Sequence, residues 1–452
     1  MTTVNRVIGA VRAAPRRTTA TAAAVALLSL LGYAALRHLS HVSMVDAMVY
    51  QAEGAAVAHG RDLYELRVGA YALPATYPPF SAMLFAPAAF LSFGALRVTM
   101  TLVNLAELAV VAALSCRLAG WPSRPLRPAA VLLVTGLGVW LEPVWTTLRY
   151  GQINLLILAL VLWDLTLPES SRLKGVGIGL AAGLKVTPGI FVVYLLLTRR
   201  FRAAATAAAS CAGTVLVGLL VLPGASWDFW TKDLYDTTRV GKEYIVDNQS
   251  LRGMADRLLH STHTGTSTLL LVAVVAVAGL TLAVLTERRC ADMPRAHAWA
   301  GMTVAITMVL VSPISWTHHW VWCVPLLVLL AAEARAERRR GRPGWAGHRW
   351  RVVLTATALC FCSFAMWFVP HKAWHGVQMS YWFEPAASVY PLFGLGFLLL
   401  VAVRVRTRLR PGTRPLPAAD PQDAPEAPEA PEAPEAHGAS ALGARPGATA
   451  RP

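Results

Sequence analysis

ATAAAVALLSLLGYAALRHL, residues 20–39, runs directly into SHVSMVDAMVYQAEGAAVAHGRDLYELRVGAYALPATYPP, residues 40–79. The first stretch is apolar and long enough to cross the ~30 Å hydrocarbon core of a bilayer, which takes about 20 residues. The second is not. It carries four acids (Asp46, Glu53, Asp62 and Glu65), two histidines, several aromatics and a closing Tyr77-Pro78-Pro79. Arg6, Arg12, Arg16 and Arg17 precede the apolar run, and arginines flanking a first span hold that side in the cytoplasm. The run is too long for a signal peptide and has no small-residue cleavage site before the polar stretch, so it reads as an uncleaved span. Residues 1–19 are then a cytoplasmic segment, and 41–79 form the first extracytoplasmic loop.

Outward from this junction the chain is mostly hydrophobic. Of its 452 residues 55% are hydrophobic. Further apolar runs lie at about 80–95, 98–116, 129–147, 152–167, 175–198, 203–222, 267–286, 297–313, 319–333, 352–369 and 386–403. The pattern is that of an all-α polytopic membrane protein, a bundle of about 10–13 transmembrane or re-entrant helices over residues 20–405. The short alternating segments of a membrane β-barrel are absent. The net charge of +16 comes from Arg and Lys between the runs, where the positive-inside rule puts them. It therefore points to a lipid bilayer and not to nucleic acid. None of the six cysteines has CxxC spacing, which favours buried small side chains over disulfides or a metal. Residues 406–452 contain an Ala-Pro-Glu repeat from Ala424 to Glu435. A tail of that composition cannot bury a core and is expected to be a disordered cytoplasmic segment.

Two topologies compete in the first half. If 80–95 and 175–198 each cross once, Arg117, Arg124, Arg127, Arg172 and Lys174 lie outside. If instead 80–95 dips in and returns, and 175–198 is two half-helices broken at Lys185-Val-Thr-Pro188, those five cations become cytoplasmic. Arg97, Arg149 and Lys185 then move to the outer side. Five cations against three favours the second arrangement. Pro188 inside an apolar run also favours a break, because proline removes a backbone hydrogen bond. Such a break is tolerated at membrane depth only where it lines a cavity or is buried in protein. This topology brings five polar segments to one face: the 41–79 loop, Arg149 to Asn154, Lys185 to Pro188, Asn248 to Leu251, and Ser312 to Trp320.

Several side chains on that face can do chemistry. Asp46, just beyond the first span, can take a proton from a substrate hydroxyl as a general base. Glu53, Asp62 and Glu65 compete for that role, although Gly60-Arg-Asp-Leu-Tyr64 reads more as turn chemistry. Lysine in an apolar run costs ~2.5–3.5 kcal/mol and marks function by default. Lys185 beside a helix break suits a phosphate, which wants charge-assisted donors; the alternative is a lysine snorkelling to the interface. Gln152 and Asn154 can bind sugar hydroxyls or make ordinary interhelical contacts. His318 and His319 are adjacent, so their rings diverge on a helix and do not make a metal pair. One of them facing a phosphate is the better reading. Trp316 fits an interfacial aromatic belt or a platform for a sugar. No Gly-rich nucleotide motif appears, and no soluble domain is large enough to hold a nucleotide, so a transferred group would arrive on a lipid.

Taken in order, Val45-Asp-x-x-Val-Tyr50, Gly60-Arg-Asp-Leu-Tyr64, Thr76-Tyr-Pro-Pro-Phe80, Gly151-Gln-Ile-Asn154, Lys185-Val-Thr-Pro188, Asn248-Gln-Ser-Leu251 and Ser312-Pro-Ile-Ser-Trp-Thr-His-His-Trp320 resemble the actinobacterial glycosyltransferase family 87. These are integral-membrane enzymes of the GT-C fold. The resemblance implies polyprenyl-phosphate-mannose as donor and α-1,2-mannosyl transfer, with inversion, to a glycolipid or glycan. It implies a catalytic acid in the first extracytoplasmic loop, and Asp46 is the matching residue. Ala47 stands where the family more often has Leu. The donor phosphate is expected near Lys185, His318 and His319. Tyr50, Tyr77, Arg149, Gln152, Asn154, Asn248, Gln249 and Trp316 are expected to contact substrate. No metal and no cofactor is expected. A transporter or flippase of a lipid-linked sugar, a non-catalytic lipid-binding scaffold and an arabinofuranosyltransferase of the same fold are the alternatives.

Overall fold

The computed structural model describes residues 3–40, 42–341, 343–371 and 378–410. The tail expected to be disordered lies outside them from residue 411 on. Among the described residues there is no β-strand, only two isolated bridges, Val68 with Leu73 and Asn248 with Trp316. The helices are α1 (Thr3–Leu39), α2 (Val45–Ala58), α3 (Pro79–Phe85), α4 (Phe93–Leu118), α5 (Arg127–Gly138), α6 (Glu142–Tyr150), α7 (Asn154–Thr166), α8 (Val176–Leu184), α9 (Ile190–Leu197), α10 (Phe201–Val221), α11 (Pro223–Thr231), α12 (Leu251–Leu258), α13 (Thr266–Arg288), α14 (Ala296–Val311), α15 (Cys323–Arg339), α16 (Arg349–Cys362) and α17 (Val389–Leu409). Among the described residues six helical stretches are long and apolar enough to cross a membrane, and a seventh is added if α5 and α6 with their preceding turn count as one bent span. Four shorter apolar helices accompany them.

The direction of packing decides between the two topologies. Ser29 donates to the Gly136 carbonyl at 2.6 Å, Trp140 donates to Ser29 at 2.7 Å, and Arg37 donates to the Leu148 carbonyl at 2.9 Å. Residue numbers rise together on both sides, so α1 runs parallel to α5 and α6. The link before α5 therefore stands at the end where α1 begins. Everything between α1 and α4 returns to the end where α1 finishes. The 80–95 stretch does not cross. It is α3, a short 3-10 turn over Ala86–Phe90, and then Ser92, whose hydroxyl caps α4 by accepting from the Ala95 amide. The 175–198 stretch is likewise two half-helices. α8 ends at Leu184, Lys185 is extended (φ −152°, ψ 125°), and a turn over Thr187–Gly189 leads into α9. Ser81 on α3 donates to the Leu184 carbonyl at 2.8 Å, satisfying one of the acceptors that the break leaves open.

The run expected at 129–147 departs from a single helix. α5 and α6 meet at 71°. The cause lies in Glu142-Pro143: the proline takes the first turn of α6, where its missing N–H costs nothing, and the Glu142 carboxylate is buried. It accepts from Thr146 at 2.6 Å, Tyr390 at 2.7 Å and the Trp367 indole at 3.3 Å.

The core runs along α7, α8, α14, the turn over Thr317–Trp322 and α15, where Leu155, Val161, Ile178, Trp299, Val304, Trp320 and Leu326 are almost wholly excluded from solvent. α4, α10, α13 and α17 present apolar outer faces, as surfaces against lipid must.

Candidate active site

The polar segments gathered by this topology meet at the end where α1 finishes, around a cavity of about 630 Å³. Its first wall is α2. Met44 takes a left-handed conformation (φ 49°) just before the helix, and its amide donates to the Arg149 carbonyl at 3.1 Å. Gly151 ends α6 at φ +72° and lies against the start of α2. A Cβ on Gly151 would stand 2.8 Å from the Ala47 Cβ, so glycine is needed for the left-handed turn and for the contact alike. The consequence is that Gln152, next along the chain, reaches Asp46.

Gln152 Nε2 donates to Asp46 Oδ2 at 2.6 Å. The other end of the same amide is held by two phenols: Tyr50 donates to Gln152 Oε1 at 2.8 Å and Tyr77 at 3.0 Å. Tyr50 and Tyr77 stand edge to face, with ring centroids 5.5 Å apart, and Tyr64 donates to the Tyr77 carbonyl at 2.9 Å. The amide therefore has only its nitrogen to offer, and its nitrogen faces the carboxylate. Burial pushes Asp46 up to about 6, against the lowering effect of the Gln152 hydrogen bond and the Lys185 charge. At neutral pH it is a carboxylate with raised basicity, as a general base requires.

The wall opposite is the break between α8 and α9 together with the turn before α15. Lys185 Nζ lies 2.8 Å from His319 Nε2 and 3.4 Å from Asn154 Oδ1, with the Tyr77 ring centroid at 5.4 Å. An ammonium has donors only, so His319 Nε2 accepts here and the imidazole is neutral. Lys185 is the basic group of this wall, standing at the helix break. His318 is turned away: its ring packs edge-on against Tyr150, and its carbonyl accepts from Thr147. Among the described residues no group of three or more His, Cys, Asp or Glu side chains is placed to hold a metal ion.

The candidate residues divide accordingly. Asp46, Tyr50, Tyr77, Gln152, Lys185, Trp316 and His319 line the cavity. Asn154 stands just behind Lys185, in a small crevice that also touches His319. Arg149 is not in the wall. Its guanidinium lies 5.0 Å over the Trp367 ring. Asn248 and Gln249 are scaffold. Asn248 Oδ1 accepts from the Ser250 and Ser315 amides, and its nitrogen donates to the Glu243 and Pro313 carbonyls. Gln249 donates to the Val246 and Ala387 carbonyls and accepts from the Tyr390 amide. These bonds pin the Ser312–Trp320 turn to α12 and α17.

The four acids of the first loop also separate. Asp62 accepts from the Tyr64 and Glu65 amides, which is turn chemistry, and Glu65 is exposed. Glu53, seven residues after Asp46 on the same helix, is buried away from the cavity. Burial pushes it up to about 8 against the Thr76 amide, and the Asp46 charge adds to the rise. It stays protonated at neutral pH and adds no second negative charge beside Asp46. One wall was not foreseen in the sequence: Asp233 to Lys242, a polar loop after α11 that closes the far side of the cavity.

A sequence profile of glycosyltransferase family 87 matches residues 75–313. A polyprenol-phosphate-mannose-dependent alpha-(1-2)-phosphatidylinositol mannoside mannosyltransferase of Mycobacterium tuberculosis (strain ATCC 25618 / H37Rv) is 31% identical over 86% of this chain and 93% of its own length. A polyprenol-phosphate-mannose-dependent alpha-(1-2)-phosphatidylinositol pentamannoside mannosyltransferase of M. tuberculosis (strain CDC 1551 / Oshkosh) is 35% identical over 74% of this chain and 78% of its own. A mannoside mannosyltransferase of Mycolicibacterium smegmatis (strain ATCC 700084 / mc(2)155), named like the first, is 34% identical over 70% and 74%. No solved structure matches the chain.

Proposed function

From the premise that this chain belongs to glycosyltransferase family 87, we propose that it moves mannose from a polyprenyl-phosphate-mannose to a hydroxyl of a mannosylated glycolipid, forming an α-1,2 linkage on the extracytoplasmic face. The donor and the acceptor class are those named for its relatives. The orientation follows from the cation count: Arg117, Arg124, Arg127, Arg172 and Lys174 stand at the end opposite the cavity, which the positive-inside rule makes cytoplasmic.

The observation that carries the chemistry is that an acid on one wall, Asp46, and a base on the wall opposite, Lys185, line the same cavity with no ion pair joining them. Asp46 takes the proton of the attacking hydroxyl. The acceptor oxygen bonds to the mannosyl C1 while the C1–O bond to phosphate breaks, and a β-linked donor yields an α-linked product. The leaving polyprenyl phosphate gains negative charge as the bond breaks. Lys185, with His319 beside it, meets that charge where it develops, the kind of fixed electrostatic stabilisation on which catalysis most often rests. Two lipid-borne reactants held at one interface supply the proximity.

The test is radiolabelled transfer in vesicles that contain the purified protein, polyprenyl-phosphate-[14C]mannose and a phosphatidylinositol mannoside, followed by linkage analysis of the product. The reading predicts labelled glycolipid with a new α-1,2 bond. Label carried across the vesicle membrane without transfer supports a flippase, and, in a parallel assay supplied with labelled polyprenyl-phosphate-arabinose instead, label entering product supports the arabinosyl alternative.

A further inference from the structure

The cavity is larger than the Asp46–Lys185 pair needs, and its far side is built from a different element with different chemistry. Asp233 to Lys242 is a strap fixed from beneath by Arg239. Arg239 donates to the Tyr64 carbonyl at 3.0 Å and the Ala75 carbonyl at 3.3 Å, lies 5.4 Å over the Tyr64 ring, and pairs with Asp233 Oδ1 at 3.4 Å. Thr237 ties its middle to Glu243, donating at 2.5 Å, and Glu243 is in turn paired with Arg252 at 2.5 Å. Gly241 (φ +141°) lies against the Trp316 ring. A Cβ there would come within 2.9 Å of the indole, so the strap and Trp316 form one continuous wall.

Two groups on this wall have unused capacity. Asp233 lines the cavity, and its Oδ2 is buried with no hydrogen-bond partner. A buried acceptor in that state is costly until something donates to it. Lys242 also lines the cavity. Lys232 is paired with Asp228, and Arg239 with Asp233, but Lys242 has no ion pair or hydrogen bond among the described residues. Lys185, on the opposite wall, lies against His319 and Asn154 and is the donor's partner in the reading above.

Resting on the reading that the Asp46 wall receives a mannosyl donor, we infer that the strap is the acceptor subsite, and that it selects a glycolipid bearing a phosphate beside its sugars. Asp233 Oδ2 accepts from a sugar hydroxyl, and Lys242 binds the acceptor's phosphate. The two phosphates of the reaction are thereby kept apart, the donor's at Lys185 and the acceptor's at Lys242.

Equilibrium binding to the purified full-length protein in detergent tests this without donor and without turnover. The probes are phosphatidylinositol dimannoside and an uncharged diacylglycerol dimannoside. Wild type binds the phosphate-bearing lipid about tenfold more tightly, the scale of one charge-assisted hydrogen bond. Lys242→Ala abolishes that difference and leaves binding of the uncharged lipid unchanged. Asp233→Asn, scored only if its thermal midpoint matches wild type, weakens both lipids alike. Equal affinity of wild type for the two lipids, or a Lys242→Ala variant that keeps the preference, overturns the inference. Failure of the donor reading looks different: wild type then shows the lipid preference but transfers no mannose.

Discussion

The ion pairs away from the cavity and the two inner walls of the cavity partner their charges in opposite ways. At the end away from the cavity Glu287, Glu169 and Glu333 all sit against cationic partners. Glu287 accepts from Tyr194 at 3.0 Å and from Arg200, and its carboxylate lies 3.1 Å from His297 Nδ1. Glu169 joins Arg200 at 3.2 Å to Lys174 at 3.5 Å. Glu333 takes the Trp299 indole at 2.9 Å and lies near Arg295 and Arg404 at 3.5 and 3.7 Å. At the cavity end, Asp46 is held by the neutral amide of Gln152, and Lys185 by a neutral imidazole and a neutral amide. Ion pairs that cross between elements fasten helices. Charges steadied by neutral partners keep their field for a ligand. The same residue types are therefore tied to opposite charges in the one place and to neutral groups in the other.

Substitutions at the two ends should consequently fail in different assays. The larger effect is expected at Lys185. Lys185→Ala lowers the transfer rate about 10²–10³-fold, as loss of one fixed charge-stabilising donor does elsewhere, and raises the donor concentration needed for half-maximal rate. Steady-state kinetics against donor reads both, and an unchanged donor response would reduce Lys185 to an interfacial lysine. Glu287→Gln keeps a hydrogen bond but loses its charge, and costs about 1.5–3 kcal/mol of stability. Thermal unfolding in detergent should show the loss, while the rate per folded molecule stays within twofold. A fall in rate without a fall in stability would erase the contrast between the ends. The smallest effect is on pH. Asp46 works as the carboxylate and is pushed up to about 6, so protonation removes activity as pH falls. The rate at pH 6 should be about half its plateau, and below that it should drop about tenfold per unit. A rate that stays flat down to pH 5 would mean that the base is not buried Asp46.

Much of this division was readable in the residues, for definite physical reasons. A lysine and a proline three residues apart in an apolar run are costly unless the helix breaks, and it does break at Lys185. The cation count separated the two topologies, and parallel packing of α1 with α5 and α6 agrees with its choice. Glu142-Pro143 held the signal for the bend between α5 and α6, but a window of apolar residues does not register it. The site was legible only in part. A loop amide such as Asn248 or Gln249 looks the same in sequence whether its hydrogen bonds go to a sugar or to carbonyls 65 and 138 residues away. Arg149 sits beside the site and faces Trp367 for the same reason. The strap at 233–242 carries no motif. It becomes a wall only because Arg239 reaches back to Tyr64 and Ala75.

The central claim is that Asp46 takes the acceptor proton while a separate wall holds the donor. Asp46→Asn tests it most directly, when donor binding and single-turnover transfer are measured on one preparation. Asparagine preserves the shape and can still bond to Gln152, but it cannot accept the proton. The account predicts donor affinity within about threefold of wild type and transfer reduced about 10²–10⁴-fold, the range for loss of a general base. Transfer near the wild-type rate, or donor binding lost together with transfer, would contradict it.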